Sequence, residues 1–224
     1  MLGERSAQPV APRPVHRPHA ANVAVVVAVF DQPHQGELVE DVAFVEGGVP
    51  YCIPMLYARD GDSIYIHGSS ASGSLRTLAH NARACLTLTL VRGLVLACSA
   101  FEHSANYESV VALGSFERID DEVERRAAFR TFTNKLLRGR WDEVREPNRK
   151  ELKATAILAM TIEEVSLKAR SGPPTDDDSP DAAINTWAGV VPVVVSYGEP
   201  VPSLGLRPGL QLAASVRRLL PPCT

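Results

Sequence analysis

The chain has 224 residues, 45% of them hydrophobic, and carries 23 basic residues against 26 acidic ones. That is enough chain for one domain of ordinary size with a core of its own. The near balance of charge, with no basic stripe, argues against nucleic acid as a partner, and no apolar run reaches the roughly 18 residues that a membrane helix needs.

The first segment, residues 1–19, is rich in Pro, Ala, Arg and His and shows no periodicity, so it reads as a disordered arm. No small-residue cleavage pattern follows the apolar run Val23–Phe30, which argues against a signal peptide. Asn22–Phe30 itself is compatible with a capped helix or, from its Val content, with a strand. Leu38–Val45 predicts a strand ended by Gly47-Gly48, and Tyr51–Tyr57 predicts the next, turning at Asp60-Gly61-Asp62. Ser63–His67 is a short third strand. It runs into a Gly/Ser loop, Gly68 to Ser74, that opens a helix with Leu75, Leu78 and Ala79 at helical spacing.

Ala84–Val91 alternates Leu with Thr, as a half-buried strand does. Arg92-Gly93 predicts a turn into a further strand, Leu94–Ala100, and Ser109–Ile119 predicts another. Asp120–Leu137 changes to helical period, with acids at its start and bases at its end. Asn148, three residues before Glu151, predicts the cap of a second short helix. Ile157–Leu167 returns to strand. Gly172–Asp181 is a Pro- and Asp-rich loop, and Trp187–Tyr197 is a last strand, with Pro192 marking an edge. Beyond Pro200 the chain reads as an irregular tail with a short helix before Pro221. Six or seven short strands, tight turns and few helices predict a mainly β fold of antiparallel strands closed or partly closed into a barrel.

Cys52, Cys85, Cys98 and Cys223 form no CxxC pair and no metal-ligand spacing. No metal site and no disulfide framework are expected, and the compartment is predicted to be reducing and cytoplasmic. Cys52, Cys85 and Cys98 fall in apolar strand-like runs and are expected to be buried packing groups.

Six segments in order carry a resemblance: Tyr51–Asp62, Ile64–Ser69, Arg92–Ala97, His103–Val111, Gly139–Arg145 and Trp187–Val193. Together they resemble the flavin-binding split-barrel family that includes pyridoxamine phosphate oxidases and nitroimidazole-resistance reductases. The resemblance covers residues 21–202, which leaves 203–224 as a C-terminal tail. It implies a split β-barrel of about six antiparallel strands with a few flanking helices. It also implies a homodimer with flavin mononucleotide (FMN) at the interface and a small-molecule substrate for an oxidoreductase. By that likeness the cofactor-binding set is Tyr51, Cys52, Ile53 and Pro54 against the ring, Ile66, His67 and Gly68 along the ribityl chain, and Ser69, Ser72, Ser74 and Arg76 about the phosphate. Tyr107 and Ser109 add polar contacts, and Trp187 covers the ring edge or comes from the other subunit.

The chain departs from that family where it matters electrostatically. Ser72-Gly73-Ser74 stands where relatives carry Ser-Arg, and Cys98 and Glu108 stand where closer relatives tend to carry Arg. A loop of serines at a helix start still offers N–H and hydroxyl donors to an anion, but the guanidinium is gone. The alternative is therefore a flavin-free or haem-binding protein on the same barrel. His67, at a strand end, is a candidate acid–base group or haem ligand. His103, beside Glu102, which could orient its ring, is a second catalytic candidate.

Overall fold

The computed structural model describes residues 39–175 and 180–220. The N-terminal arm, Asn22–Phe30, Leu38, Asp176–Asp178 and Cys223 lie outside the described residues.

Two tight turns set the start of the barrel. Strands β1 (Val39–Glu46) and β2 (Val49–Asp60) are joined through Gly47 and Gly48, which both hold positive φ. A second turn through Gly61 leads into β3 (Ser63–Ser69). After helix α1 (Gly73–Ala79) come the long strands β4 (His80–Leu96) and β5 (Ser104–Arg118), then helix α2 (Glu122–Leu136). A short 3-10 turn (Trp141–Glu143) and helix α3 (Arg149–Ala154) lead to β6 (Thr155–Thr161) and β7 (Glu164–Arg170). Strand β8 (Gly189–Pro192) and helix α4 (Ala214–Arg217) finish the described chain.

All eight strands belong to one antiparallel sheet in the order β7–β5–β6–β3–β2–β1–β4–β8. An additional β4–β5 pairing closes six of them, β5, β6, β3, β2, β1 and β4, into a ring, with β7 and β8 outside it. This is the split barrel expected from the resemblance. No described helix is long and apolar enough to cross a membrane.

Strand alternation fills the ring. Val42 and Phe44 of β1, Ile64 and Ile66 of β3, Leu86, Leu88 and Leu90 of β4 and Val110, Ala112 and Phe116 of β5 share one buried cluster. Leu75 and Leu78 of α1 pack into the same cluster. Helix α2 lies on the outside. Its Ala128 and Phe132 bury Ala58 of β2 and Ile157 of β6, with Tyr65, Ile119 and Phe129 around them. The helix starts where Asp121 caps it, the carboxylate accepting from the backbone N–H of Val123 and Glu124 at 3.0 and 2.9 Å. The predicted Asn148–Glu151 capping box is present on α3. In the tail, α4 docks through Ser215, whose backbone N–H donates to Glu143 at 2.9 Å.

Three elements differ from the sequence reading. Arg92-Gly93 makes no turn. Strand β4 runs straight through it with a bulge between Val91 and Gly93, and the inward-facing set shifts from Leu90 to Gly93 and Val95. A Cβ on Gly93 would lie 3.0 Å from Val190 and 3.1 Å from the Val191 carbonyl, so the glycine serves the close approach of β8. The strand predicted over Ile157–Leu167 is two strands, β6 and β7. Trp187–Tyr197 contains only the four-residue β8, because β4 offers β8 only Gly93–Leu96 as partners.

Candidate functional site

Register decides which of the predicted residues meet. On the outer face, Cys52 of β2 lies beside Ala43 of β1, which lies beside Cys85 of β4. One step along, Pro54, Asp41, Thr87 and Val111 form a second row across β2, β1, β4 and β5. Ser109 sits opposite Thr89 and Tyr107 opposite Val91 on the same pleat. Cys52, Pro54, Tyr107 and Ser109 therefore share one outer sheet face, its two ends three strand spacings or about 14 Å apart. The face is open in a single chain. Val39, Val45 and Leu56 are exposed on it.

The other predicted residues point elsewhere. Tyr51 is on the inward register and stacks on Phe44 at 5.5 Å, though it remains 42% exposed at the barrel mouth. Ile53 packs against the core, and Ile66 is wholly buried, so only its backbone can face a ligand. A Cβ on Gly68 would come within 2.9 Å of the Leu75 Cδ1, so a side chain there requires Leu75 to move. In the loop that follows, the Ser69 and Ser72 hydroxyl oxygens are engaged by the local backbone. Ser69 accepts from the N–H of Ala71 at 3.2 Å and Ser72 from that of Leu75 at 3.5 Å. Ser74 is half-buried, and Arg76 is exposed on the same short helix. An added Cβ on Gly73 meets nothing within 4 Å. Trp187 is 63% exposed and lies against Gly189 at the β8 edge.

His67 faces outward beside Ile157, under helix α2. Its ring packs edge-on against Phe132 at 4.3 Å and is tilted against Phe129 at 6.3 Å. Nδ1 is buried without a hydrogen-bond partner, and burial pushes the imidazole pKa down. A neutral ring follows, the form that ligates a metal. His103 is not oriented by Glu102. Its Nδ1 is 2.9 Å from the Ser99 carbonyl, and Glu102 instead accepts from Thr175 at 2.9 Å.

The cysteines correct a further expectation. Cys52 is exposed, and Cys85 and Cys98 are partly exposed. The apolar run around Cys52 is an alternating strand whose outer residues include the cysteine, so hydrophobicity alone misplaces it. Glu163 and Glu164 both pair with Arg83, at 2.8 and 3.3 Å.

The sequence reading missed three polar groupings, two built on the inward-register residues Asn106 and Glu108 of β5 and one in the barrel interior. Arg92 donates through Nε and Nη2 to a single oxygen of Glu108, at 3.0 and 2.7 Å. This matters to the site because Glu108 stands where an Arg was expected, and the carboxylate is neutralised within the chain. Asn106 ties two elements together, accepting from Arg170 at 2.8 Å and donating to the Gly172 carbonyl at 3.0 Å. The third is Glu40, which is only 2% exposed and lies beside Tyr57 and Lys135 in the barrel interior. Burial pushes its pKa up to about 9, opposed by Lys135 and Tyr57. The signal was present in Glu40-x-Val42-x-Phe44, which places the acid on the inward face.

The model of the family described as pyridoxamine 5′-phosphate oxidase matches residues 36–169. The FAD and haem binding protein from Mycobacterium smegmatis superposes with a TM-score of 0.80 at 36% identity, over 90% of this chain and 95% of that one. The flavocytochrome Anf3 from Azotobacter vinelandii superposes with a TM-score of 0.79 at 35% identity, over 88% of this chain and 89% of that one. A protein from Bacteroides thetaiotaomicron described as a 5-nitroimidazole antibiotic resistance protein shares the fold, with a TM-score of 0.53 at 18% identity over 66% of this chain and 82% of that one. No curated protein matches the sequence.

Proposed function

The chain belongs to the pyridoxamine 5′-phosphate oxidase family, and we propose that it is a flavin-binding oxidoreductase that also takes a haem. The observation that carries this reading is the likeness, above 30% identity along nearly the whole chain, to an FAD and haem binding protein and to a flavocytochrome. A bound flavin supplies hydride and electron chemistry, and a haem supplies one-electron chemistry. The protein's part is to hold and orient.

The flavin ring is assigned to the outer face at Cys52, Pro54, Tyr107 and Ser109, with the backbone of Ile66–Ser69 beside it and the phosphate end at Ser69–Ser74. Ser109 is already paired with Thr89 at 2.8 Å, so one hydroxyl of that pair is held in place to meet a polar edge. FAD is favoured over FMN on the charge of the loop. The terminal phosphate of FMN is close to a dianion at neutral pH, whereas each phosphate of a dinucleotide diphosphate carries one charge. A loop that has Gly73 in place of an arginine tolerates the second better.

The open sheet face needs a second wall, and a second copy of the chain supplies it most economically. Exposed Val39, Val45, Leu56 and Trp187 are the groups such a dimer would cover. At micromolar concentration the protein is expected to sediment as a dimer; a monomer at every concentration would leave the ring half solvated and remove this part of the reading.

The absorbance spectrum of the purified protein, before and after reconstitution with FAD, FMN and haemin, tests the whole assignment. Flavin bands and a Soret band are expected, and the absence of flavin bands under all conditions would overturn it. Gly73→Arg then tests the loop. The position is open and free of positive φ, so an arginine there can reach the phosphate. A charge-assisted hydrogen bond is worth about 1.5–3 kcal/mol, so flavin affinity should rise about ten- to hundredfold in a fluorescence titration. Unchanged affinity would place the phosphate elsewhere.

A further inference from the structure

We propose that residues 193–212, the stretch between β8 and α4, form an arm that packs against a second copy of this chain and clasps the dimer. The stretch is fixed at both ends. Val193 donates its backbone N–H to the Arg92 carbonyl at 3.0 Å, which ties the arm to β4. At the far end Ser215 of α4 donates to Glu143 at 2.9 Å, which ties it to the short turn after α2.

What lies between the anchors is apolar and turned outward. Every residue of 201–212 is exposed. Val194 and Val201 are 82% and 92% exposed, Leu204 is wholly so, and Leu206, Leu210 and Leu212 keep 43–51% of their surface open. A monomeric protein rarely leaves so continuous an apolar surface bare. The backbone is also shaped in advance. The Ser203 and Arg207 carbonyls accept from Leu206 and Leu210 at 3.0 and 3.5 Å, and Pro200, Pro202 and Pro208 each fix one φ. An arm held in this way loses little conformational freedom when it packs.

Continuity and area identify the occupant as a second copy. Leu94 of β4 and Val191 of β8 stand opposite each other on the outer pleat, 48% and 43% exposed. They lie between the arm and the open face at Val39, Val45 and Leu56, and so join the two surfaces. Burying a Val or Leu side chain removes roughly 60–120 Å² of apolar surface. The six arm residues, some of them partly covered already, thus supply about half of the roughly 800 Å² that each partner gives to a stable interface. The open face supplies the remainder, and neither surface suffices alone.

Charge fits a self-contact as well. The arm carries one acid, Glu199, and one base, Arg207, so a two-fold contact brings no excess of like charge together. A bilayer is a poor occupant. The irregular backbone leaves N–H and C=O groups that hydrocarbon cannot satisfy, and the arm has no basic cluster for lipid headgroups. The inference rests on the dimer assigned above and adds the clasp to it; neither depends on the flavin.

Sedimentation equilibrium of the full chain measures the dimer dissociation constant. Val201→Asp with Leu204→Asp alters two side chains that are bare in the single chain, so the variant should keep its circular dichroism and a cooperative melt. Its dimer should weaken by at least about a hundredfold, because two-fold symmetry places four new charges in the interface. Val201→Ile with Leu204→Met keeps the apolar surface and should stay within about twofold, as should Val123→Asp, which places a charge at an exposed apolar residue of α2. Hydrogen exchange above and below the dissociation constant should show the amides of 194–212 slowed only in the dimer. Unchanged affinity in the Asp variant would overturn the arm and leave a dimer built on the open face. An unaltered protein that is monomeric at every concentration would overturn the arm together with the dimer, while flavin bands in its spectrum would stand. Slowing of the same amides in the monomer by vesicles of mixed neutral and anionic phospholipid would assign the arm to a membrane and overturn the second copy.

Discussion

Glu40→Gln is expected to raise stability at neutral pH by on the order of 3 kcal/mol and to flatten its decline toward alkaline pH. The folded carboxyl has its pKa raised from 4.5 to about 9. Between those values the folded state keeps a proton that the unfolded state has lost. Unfolding therefore releases a proton, and stability falls as pH rises through that window. By pH 7 the unfolded group has moved about 2.5 units above its pKa, at about 1.4 kcal/mol per unit. Glutamine has the shape of the protonated acid and does not titrate, so the two proteins should be nearly equal near pH 4 and diverge above it. The groups that face Glu40 are Tyr57 from β2 and Lys135 from α2, and both favour the charged form. Burial outweighs both of them. Urea unfolding at a series of pH values measures the difference. Parallel curves for the two proteins would mean that Glu40 is ionised and partnered in solution.

Glu40 also marks what a sequence can and cannot disclose here. Its burial was legible from parity alone, since it alternates with Val42 and Phe44, and its neutral state follows from burial. The barrel was equally legible where local chemistry specifies it: the Leu–Thr alternation of β4, Asp121 as a cap, the Asn148–Glu151 box. It was illegible where the specifying contact is distant. The corner between β6 and β7 holds no glycine, proline or asparagine. It is made by Ile162 donating to the Asp62 carbonyl at 3.1 Å and Glu163 donating to the Leu113 carbonyl at 2.9 Å. The partners belong to the β2–β3 turn and to β5, so the segment by itself reads as one run. Arg92-Gly93 fails in the opposite sense. Glycine after a polar residue signals a turn, but here it answers to the backbone of β8. At the site, parity separates Cys52 from Ile53 and sends Ile66 inward and His67 outward, which a contiguous motif cannot express.

His67→Ala is expected to abolish haem binding while leaving flavin binding within a few-fold of the unaltered protein. The ring nitrogen turned inward, Nδ1, is buried and makes no hydrogen bond, which leaves Nε2 as the atom to meet a metal. Desolvation lowers the imidazole pKa, so little of the affinity is lost to displacing a proton at neutral pH. A ligating histidine usually has its second nitrogen fixed by a carbonyl or carboxylate. Here Phe132 at 4.3 Å and Phe129 at 6.3 Å fix the ring by packing instead. Such a ligand would have lower basicity, and its geometry would depend on α2. His67→Phe fills the same space without a donor atom and controls for the cavity that alanine opens against Phe132. Both variants should lose the Soret band on haemin titration and keep a cooperative thermal transition. His67→Met, whose thioether can ligate iron, should retain part of the absorbance with a shifted maximum. Haem affinity unchanged in His67→Ala would assign the iron to another residue. Loss of flavin together with haem in a folded variant would mean that His67 orders the end of β3, where Gly68 and Ser69 begin the loop assigned to the phosphate.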